Sequence, residues 1–109
     1  MHKKRIITSS QAINEATIIA MKRDKKVFVI GEGVNDPKEI FGTTTNLKKK
    51  FTSKRVIETP ISENAMTGLC IGSAMMGLKP IQIHQRVDFA LLALEQIMNN
   101  CAKAFYVSN

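Results

Sequence analysis

A chain of 109 residues, 44% of them apolar, has room for one small domain with a packed core. Sixteen Lys and Arg against nine Asp and Glu leave a formal charge of +7, which admits an acidic partner, an anionic membrane surface or a nucleic acid and says nothing of fold. Aromatic residues are few and no nucleic-acid-binding motif is present, so nucleic-acid binding ranks last among these readings. No apolar run approaches the roughly 20 residues of a membrane span. No long apolar segment follows the basic start Met1-His2-Lys3-Lys4-Arg5, as a secretory signal requires, and the expected location is the cytoplasm. Cys70 and Cys101 lack C-x-x-C spacing and read as buried free thiols of a reducing compartment.

Thr8-Ser9-Ser10-Gln11 opens a predicted helix. Thr8 and Gln11 stand at capping-box spacing, where each side chain satisfies the other's free backbone donor. Ala12, Ile13, Ala16, Ile19 and Ala20 recur at helical spacing and predict its apolar face. The net positive stretch Lys22-Arg23-Asp24-Lys25-Lys26 ends the helix, suiting the negative end of its dipole. Val27-Phe28-Val29-Ile30, stopped by Gly31, has the continuous apolar, β-branched character of a strand buried on both faces. A polar loop follows to Thr45, with Gly33, Asn35, Asp36, Pro37 and Gly42 as turn formers. A short basic helix is expected from Asn46 to Phe51 and a second strand from Arg55 to Glu58. After Thr59-Pro60, a helix rich in small residues runs from Ser62 to Gly77 and is broken by Lys79-Pro80. Ile81-Gln82-Ile83 is the third strand. Asp88 to Cys101 is a further helix with Leu91, Leu94, Ile97, Met98 and Cys101 on its apolar side, and Phe105-Tyr106-Val107 begins a fourth strand.

Strands alternating with helices imply an α/β fold, a parallel sheet with helices on both faces. Ligands in such sheets bind beyond the carboxyl ends of the strands. The segments that matter are therefore Gly31-Glu32-Gly33, Thr59 to Glu63, and His84 to Phe89.

Each of these segments has a bland reading beside a functional one. Gly31-Glu32-Gly33 follows a strand but lacks the third glycine of a dinucleotide-binding turn, because Asp36 stands in its place; a plain turn with a solvated Glu32 is the better local reading. Ser62 is a fair helix cap, and Glu63 in the first turn interacts favourably with the dipole. For catalysis Glu63 must instead face an apolar pocket, where desolvation raises its proton affinity and it shares a proton with a ligand nitrogen. Gly68, Gly72, Ser73, Ala74 and Gly77 suit either tight helix-on-sheet packing or a subunit interface, with Met66, Met75 and Met76 as filler. His84 has no second ligand at metal spacing. Lys48-Lys49-Lys50, Lys54 and Arg55 read as a solvated basic face before a phosphate site.

Taken together, Val27 to Glu32, Arg55 to Glu63, Gly77 to Ile81 and Asp88-Phe89 through Gln96-Ile97 and Ala102-Lys103 give the chain a strong resemblance. From about Ser10 to Ser108 it resembles the amino-terminal part of the beta subunit of the decarboxylating component of 2-oxo acid dehydrogenase complexes, within the transketolase-like superfamily. The string Thr59-Pro60-Ile61-Ser62-Glu63 before a glycine-spaced helix is the most specific anchor.

The resemblance implies a truncated pyrimidine-binding domain over residues 1–109 that binds thiamine diphosphate. By it, Glu63 hydrogen-bonds the aminopyrimidine and favours its imino tautomer, which lets the cofactor take the proton from its own thiazolium carbon. Phe89 packs on the pyrimidine, Ile61 lines the cofactor pocket, and Glu32 serves proton communication between paired sites. The implied partners are an alpha-type subunit in a heterotetramer, which holds the diphosphate and its magnesium, a second beta copy, and a lipoyl acyltransferase core. The alternative is a non-catalytic interaction module derived from this domain. Ile83-His84-Gln85-Arg86-Val87-Asp88-Phe89 departs from the family's common Glu-Phe-Met-Thr-Phe-Asn-Phe, which leaves the 2-oxo acid open. Leu92 replaces a commonly polar position, and Gly33 stands where a second acid is frequent.

Overall fold

A computed structural model describes residues 4–36 and 38–108; Met1-His2-Lys3 of the basic start, the turn former Pro37 and Asn109 lie outside them. Three strands form a parallel sheet in the order β2-β1-β3, with β1 at Val27–Gly31, β2 at Val56–Glu58 and β3 at Lys79–Ile83. β1 is central and every one of its residues is buried. Its alternating side chains divide the core in two. Val27 and Val29 pack with Met21, Val34, Leu47 and Val56 on one face, where helices α1 (Ser9–Arg23) and α2 (Leu47–Phe51) lie. Phe28 and Ile30 pack with Met66 and Cys70 of helix α3 (Glu63–Met75) on the other. This is the expected α/β layering, with helices on both faces of the sheet.

The capping box of α1 forms as its spacing predicts: Gln11 N–H donates to Thr8 Oγ1 at 3.2 Å and the Thr8 N–H to Gln11 Oε1 at 2.9 Å. The predicted apolar face of α1 is not the one that packs. Thr17 and Met21 are buried, with Asn14 and Ile18 half-buried beside them, while Ile13 is 53% exposed. A polar residue decides the rotation of this helix: Asn14 Nδ2 donates to the carbonyls of Thr43 and Thr45 at 2.9 and 3.1 Å, tying α1 to the loop before α2. Those bonds satisfy loop carbonyls that would otherwise be lost to water, a specific gain that a stripe of alanines does not offer.

Arg55 locks the α1–β1 corner. Its guanidinium donates to the carbonyls of Met21 (2.7 Å), Asp24 (2.9 Å) and Val27 (Nε, 3.0 Å), and it lies 5.3 Å over the Phe51 ring. The Arg55 fork is thus spent on backbone oxygens at the end of a helix, and it leaves the solvated basic face to its lysine neighbours.

Three expectations for the carboxyl-terminal third are corrected. β3 begins at Lys79 instead of Ile81, Pro80 being accommodated within this edge strand. The single helix expected over Asp88 to Cys101 is broken into helix α4 (Val87–Ala90), a 3-10 turn (Leu91–Ala93) and a π-helical stretch (Gln96–Cys101). The Ala102 N–H reaches back to the Ile97 carbonyl at 3.0 Å, the widened bond of a π turn. Phe105-Tyr106-Val107 forms no fourth strand but lies in a short helix, α5 (Ala104–Ser108). A short apolar run has no periodicity that separates strand from helix. Here the local bond from the Val107 N–H to the Lys103 carbonyl at 2.9 Å stands in place of a strand neighbour. Cys70 is buried as expected, and burial pushes its thiol up to about 11, so it stays protonated at neutral pH; Cys101 is exposed, contrary to expectation.

Candidate functional site at the carboxyl ends of the strands

In the parallel register Gly31 pairs with Glu58 on one side and Ile83 on the other, so the three strands end level. The packing at this line is close. A Cβ on residue 31 would stand 2.4 Å from the Ile83 carbonyl oxygen, so only glycine lets β1 and β3 pair here. All the residues expected in the site lie just past this line.

Glu32 follows Gly31 directly and is half-buried. The loop beyond it is held by Glu58, a residue to which the sequence reading gave no role. The Glu58 carboxylate accepts from the Gly33 N–H at 2.5 Å and the Asn35 N–H at 2.8 Å. Such charge-assisted bonds to backbone donors are the strong kind. An acid ending a strand beside a Gly-x-Gly loop is the signal that could have exposed this role.

The β2–α3 connection is anchored at its start, where the Thr59 N–H donates to the Gly31 carbonyl at 3.2 Å. Ile61 is 76% exposed in this connection. Ser62 occupies the cap position, but its side chain makes no capping bond. Glu63 is the first residue of α3 and half-buried, its carboxyl on the first turn where the dipole favours negative charge. The backbone of that turn is tied down, since Thr67 Oγ1 donates to the Glu63 carbonyl at 2.8 Å.

Past β3, Phe89 is half-buried in α4 with the Arg86 guanidinium 5.6 Å from its ring centroid, and Arg86 in turn pairs with Asp88 at 3.1 Å. Gln82 was missing from the expected site, and His84 was weighed in it only as a metal ligand; Gln82 Nε2 lies 2.6 Å from Thr67 Oγ1 and 3.0 Å from His84 Nε2. Glu32, Ile61, Glu63 and Phe89 thus all stand in the segments that follow the carboxyl ends of the strands. Among the described residues, no hydrogen bond or ion pair joins any two of these four. A cavity of about 510 Å³ lies elsewhere, between α3 and α5, lined by Ile71, Met75, Cys101 and Phe105 among others. Among the described residues, no three His, Cys, Asp or Glu side chains are grouped to hold a metal ion.

A sheet of this layering with its site at the carboxyl strand ends defines a class, and comparison with known proteins gives it a family. Residues 5–108 match the pyrimidine binding domain of transketolase, and the chain belongs to that family, whose members are in general thiamine-diphosphate-dependent. Its relatives include beta subunits of 2-oxo acid dehydrogenases. The chain is 38% identical to the mitochondrial pyruvate dehydrogenase E1 component subunit beta of Bos taurus, over 94% of this chain and 28% of the relative. It is 42% identical to the pyruvate dehydrogenase E1 component subunit beta of Rickettsia conorii, over 94% of this chain and 31% of the relative. It is 40% identical to the 2-oxoisovalerate dehydrogenase subunit beta of Bacillus subtilis, over 95% of this chain and 32% of the relative. The chain therefore spans less than a third of the length of these curated relatives. The expectation of a cytoplasmic location does not stand, because the mammalian relatives are mitochondrial by name. Among the described residues no helix is long and apolar enough to cross a membrane.

Proposed function

We propose that the chain is part of a single pyrimidine-binding domain, the amino-terminal portion of a 2-oxo acid dehydrogenase beta subunit, and that it binds the aminopyrimidine of thiamine diphosphate for oxidative decarboxylation of a 2-oxo acid. The observation that carries this reading is the position of Glu63, a half-buried residue at the head of α3, beyond the level ends of three parallel strands.

The residues present fit a flat heterocycle with a ring nitrogen. Glu63 offers a carboxyl able to hold or give up a proton, Phe89 a half-buried aromatic face, and Ile61 an exposed apolar side chain with no core to serve. When bound, thiamine diphosphate supplies the thiazolium ring that accepts the electrons released by loss of carbon dioxide. Glu63 in this reading shares its proton with the ring nitrogen, and the tied first turn of α3 keeps the carboxyl in register with it. Phe89 orients the ring by stacking, and Glu32 is the acid of the neighbouring loop through which protons pass between paired sites. The diphosphate and magnesium fall to an alpha-type subunit, in a heterotetramer with a second beta copy that docks on a lipoyl acyltransferase core. Support for a partner comes from the apolar surface that Leu91, Leu92, Met98 and Phe105 leave exposed.

Titration of thiamine diphosphate into the chain together with its alpha-type partner tests the reading. Saturable binding that Glu63→Gln weakens about tenfold or more is expected, from the loss of a hydrogen bond to an ionised group. Absence of binding even with the partner overturns it and leaves the non-catalytic interaction module.

A further inference from the structure

A chain of hydrogen bonds links the backbone of Glu63 to an imidazole that nothing above employs, and the direction of every bond in it is fixed. Thr67 Oγ1 spends its only proton on the Glu63 carbonyl (2.8 Å), so toward Gln82 that oxygen can only accept. The Gln82 amide must therefore present its NH2 group to Thr67 (2.6 Å). The same nitrogen lies 3.0 Å from His84 Nε2, and its second proton points there, so Nε2 is an acceptor and carries no proton. The neutral ring then has its proton on Nδ1. That atom is buried and has no partner among the described residues, so no donor on the far side of the ring calls for the opposite tautomer.

We infer that Gln82 and His84 are positioning residues for Glu63, with His84 held as the Nδ1–H tautomer to orient the Gln82 amide, which through Thr67 fixes the first turn of α3. The inference rests on the proposed role of Glu63, to which it adds the side chains that set its place. Without an acceptor at Nε2 the Gln82 amide is free to rotate, Thr67 loses its donor, and the bond from Thr67 to the Glu63 carbonyl is no longer steadied from β3. Thr67 is 4% exposed, so water does not replace the missing partner.

Imidazole 15N spectra of the chain at pH 8, taken without cofactor, test the tautomer directly. A pyridine-type Nε2 and a pyrrole-type Nδ1 at His84 are expected; a protonated Nε2 overturns the inference. Amide exchange then tests the consequence. His84→Phe keeps a flat ring without an acceptor, and Gln82→Met removes the link. Each should speed exchange at Met66 and Thr67 about tenfold with Val29 of the central strand unchanged, as a local opening does. His84→Gln, which restores an acceptor, should recover most of that protection. Equal exchange at Met66 and Thr67 in wild type and His84→Phe overturns the inference. If His84→Phe fails to fold, the wild-type tautomer and the Gln82→Met exchange decide. Because both readouts are made without cofactor, a failure to bind thiamine diphosphate strikes the proposed role of Glu63 and not this chain of bonds.

Discussion

The segment after β3 is richer in apolar residues than the sheet with its flanking helices, and it uses them differently. Around β1, Val29 and Val56 are wholly buried, and the two faces of one strand serve two separate cores. After β3 the only buried hydrophobic residue among the described residues is Ala93, while Leu92, Met98 and Tyr106 stand in the open, Tyr106 at 90% exposure. An apolar pattern becomes regular structure where another element is present to cover it. After β3 the segment is covered on one side only, by α3, and the backbone settles for local bonds, which here are a 3-10 turn, a π-helical stretch and a five-residue helix.

Substitutions on the two sides should differ accordingly, most of all in the core. Ile30→Ala opens a cavity between β1 and α3 and should cost about 3–4 kcal/mol in urea-induced unfolding. A loss under 1 kcal/mol would mean that the α3 face is not packed as described. Next comes Arg55→Leu, which strands the carbonyls of Met21, Asp24 and Val27; about 2–3 kcal/mol should be lost by the same measurement. Arg55→Lys should recover only part, since an ammonium cannot match the fork.

A smaller effect should appear in acid. The Asp24 carboxyl is held below its usual value first by its hydrogen bond from Lys79, at 2.8 Å, and then by the Lys26 N–H. A lowered carboxyl contributes stability above its unfolded value of 3.8, and that contribution is lost as the pH falls through the folded value. Asp24→Asn should flatten the thermal-melting profile below about pH 4 and leave its shape above pH 5 unchanged. The smallest change belongs to the open segment: Tyr106→Ala should move the stability of the chain by less than about 0.5 kcal/mol. A larger loss would show that α5 is covered after all, and the contrast between the two regions would fail.

Much of this was legible from residue types alone wherever structure is decided locally. The Thr8–Gln11 cap, the buried run from Val27 to Ile30 and the turn into α3 at Thr59-Pro60 all follow from neighbouring residues, and the alternation of elements gave the parallel sheet. What could not be read depends on partners distant in sequence. Asn14 turns α1 because it meets carbonyls about thirty residues away, and Glu58 matters because it reaches Gly33 and Asn35 across the sheet. Gln82 was unremarkable as a letter and His84 stood out only as a lone histidine after a strand, and the two are linked to α3 only because Thr67 lies against β3. The placement of Glu63 beyond the strand ends was foreseeable, since the fold class fixes where such sites lie. The exposure of Leu91, Leu92 and Met98 was not, because the same spacing serves a core helix and an uncovered one.

The most direct test of the central claim, that Glu63 governs a proton on the cofactor, is the rate at which the thiazolium C2 proton exchanges with deuterium in the assembly reconstituted with the alpha-type partner. Glu63→Gln should slow that exchange about a hundredfold or more at saturating thiamine diphosphate, the scale of a lost general acid–base group. An exchange rate equal to that of the unmodified assembly, at the same occupancy, would contradict the account.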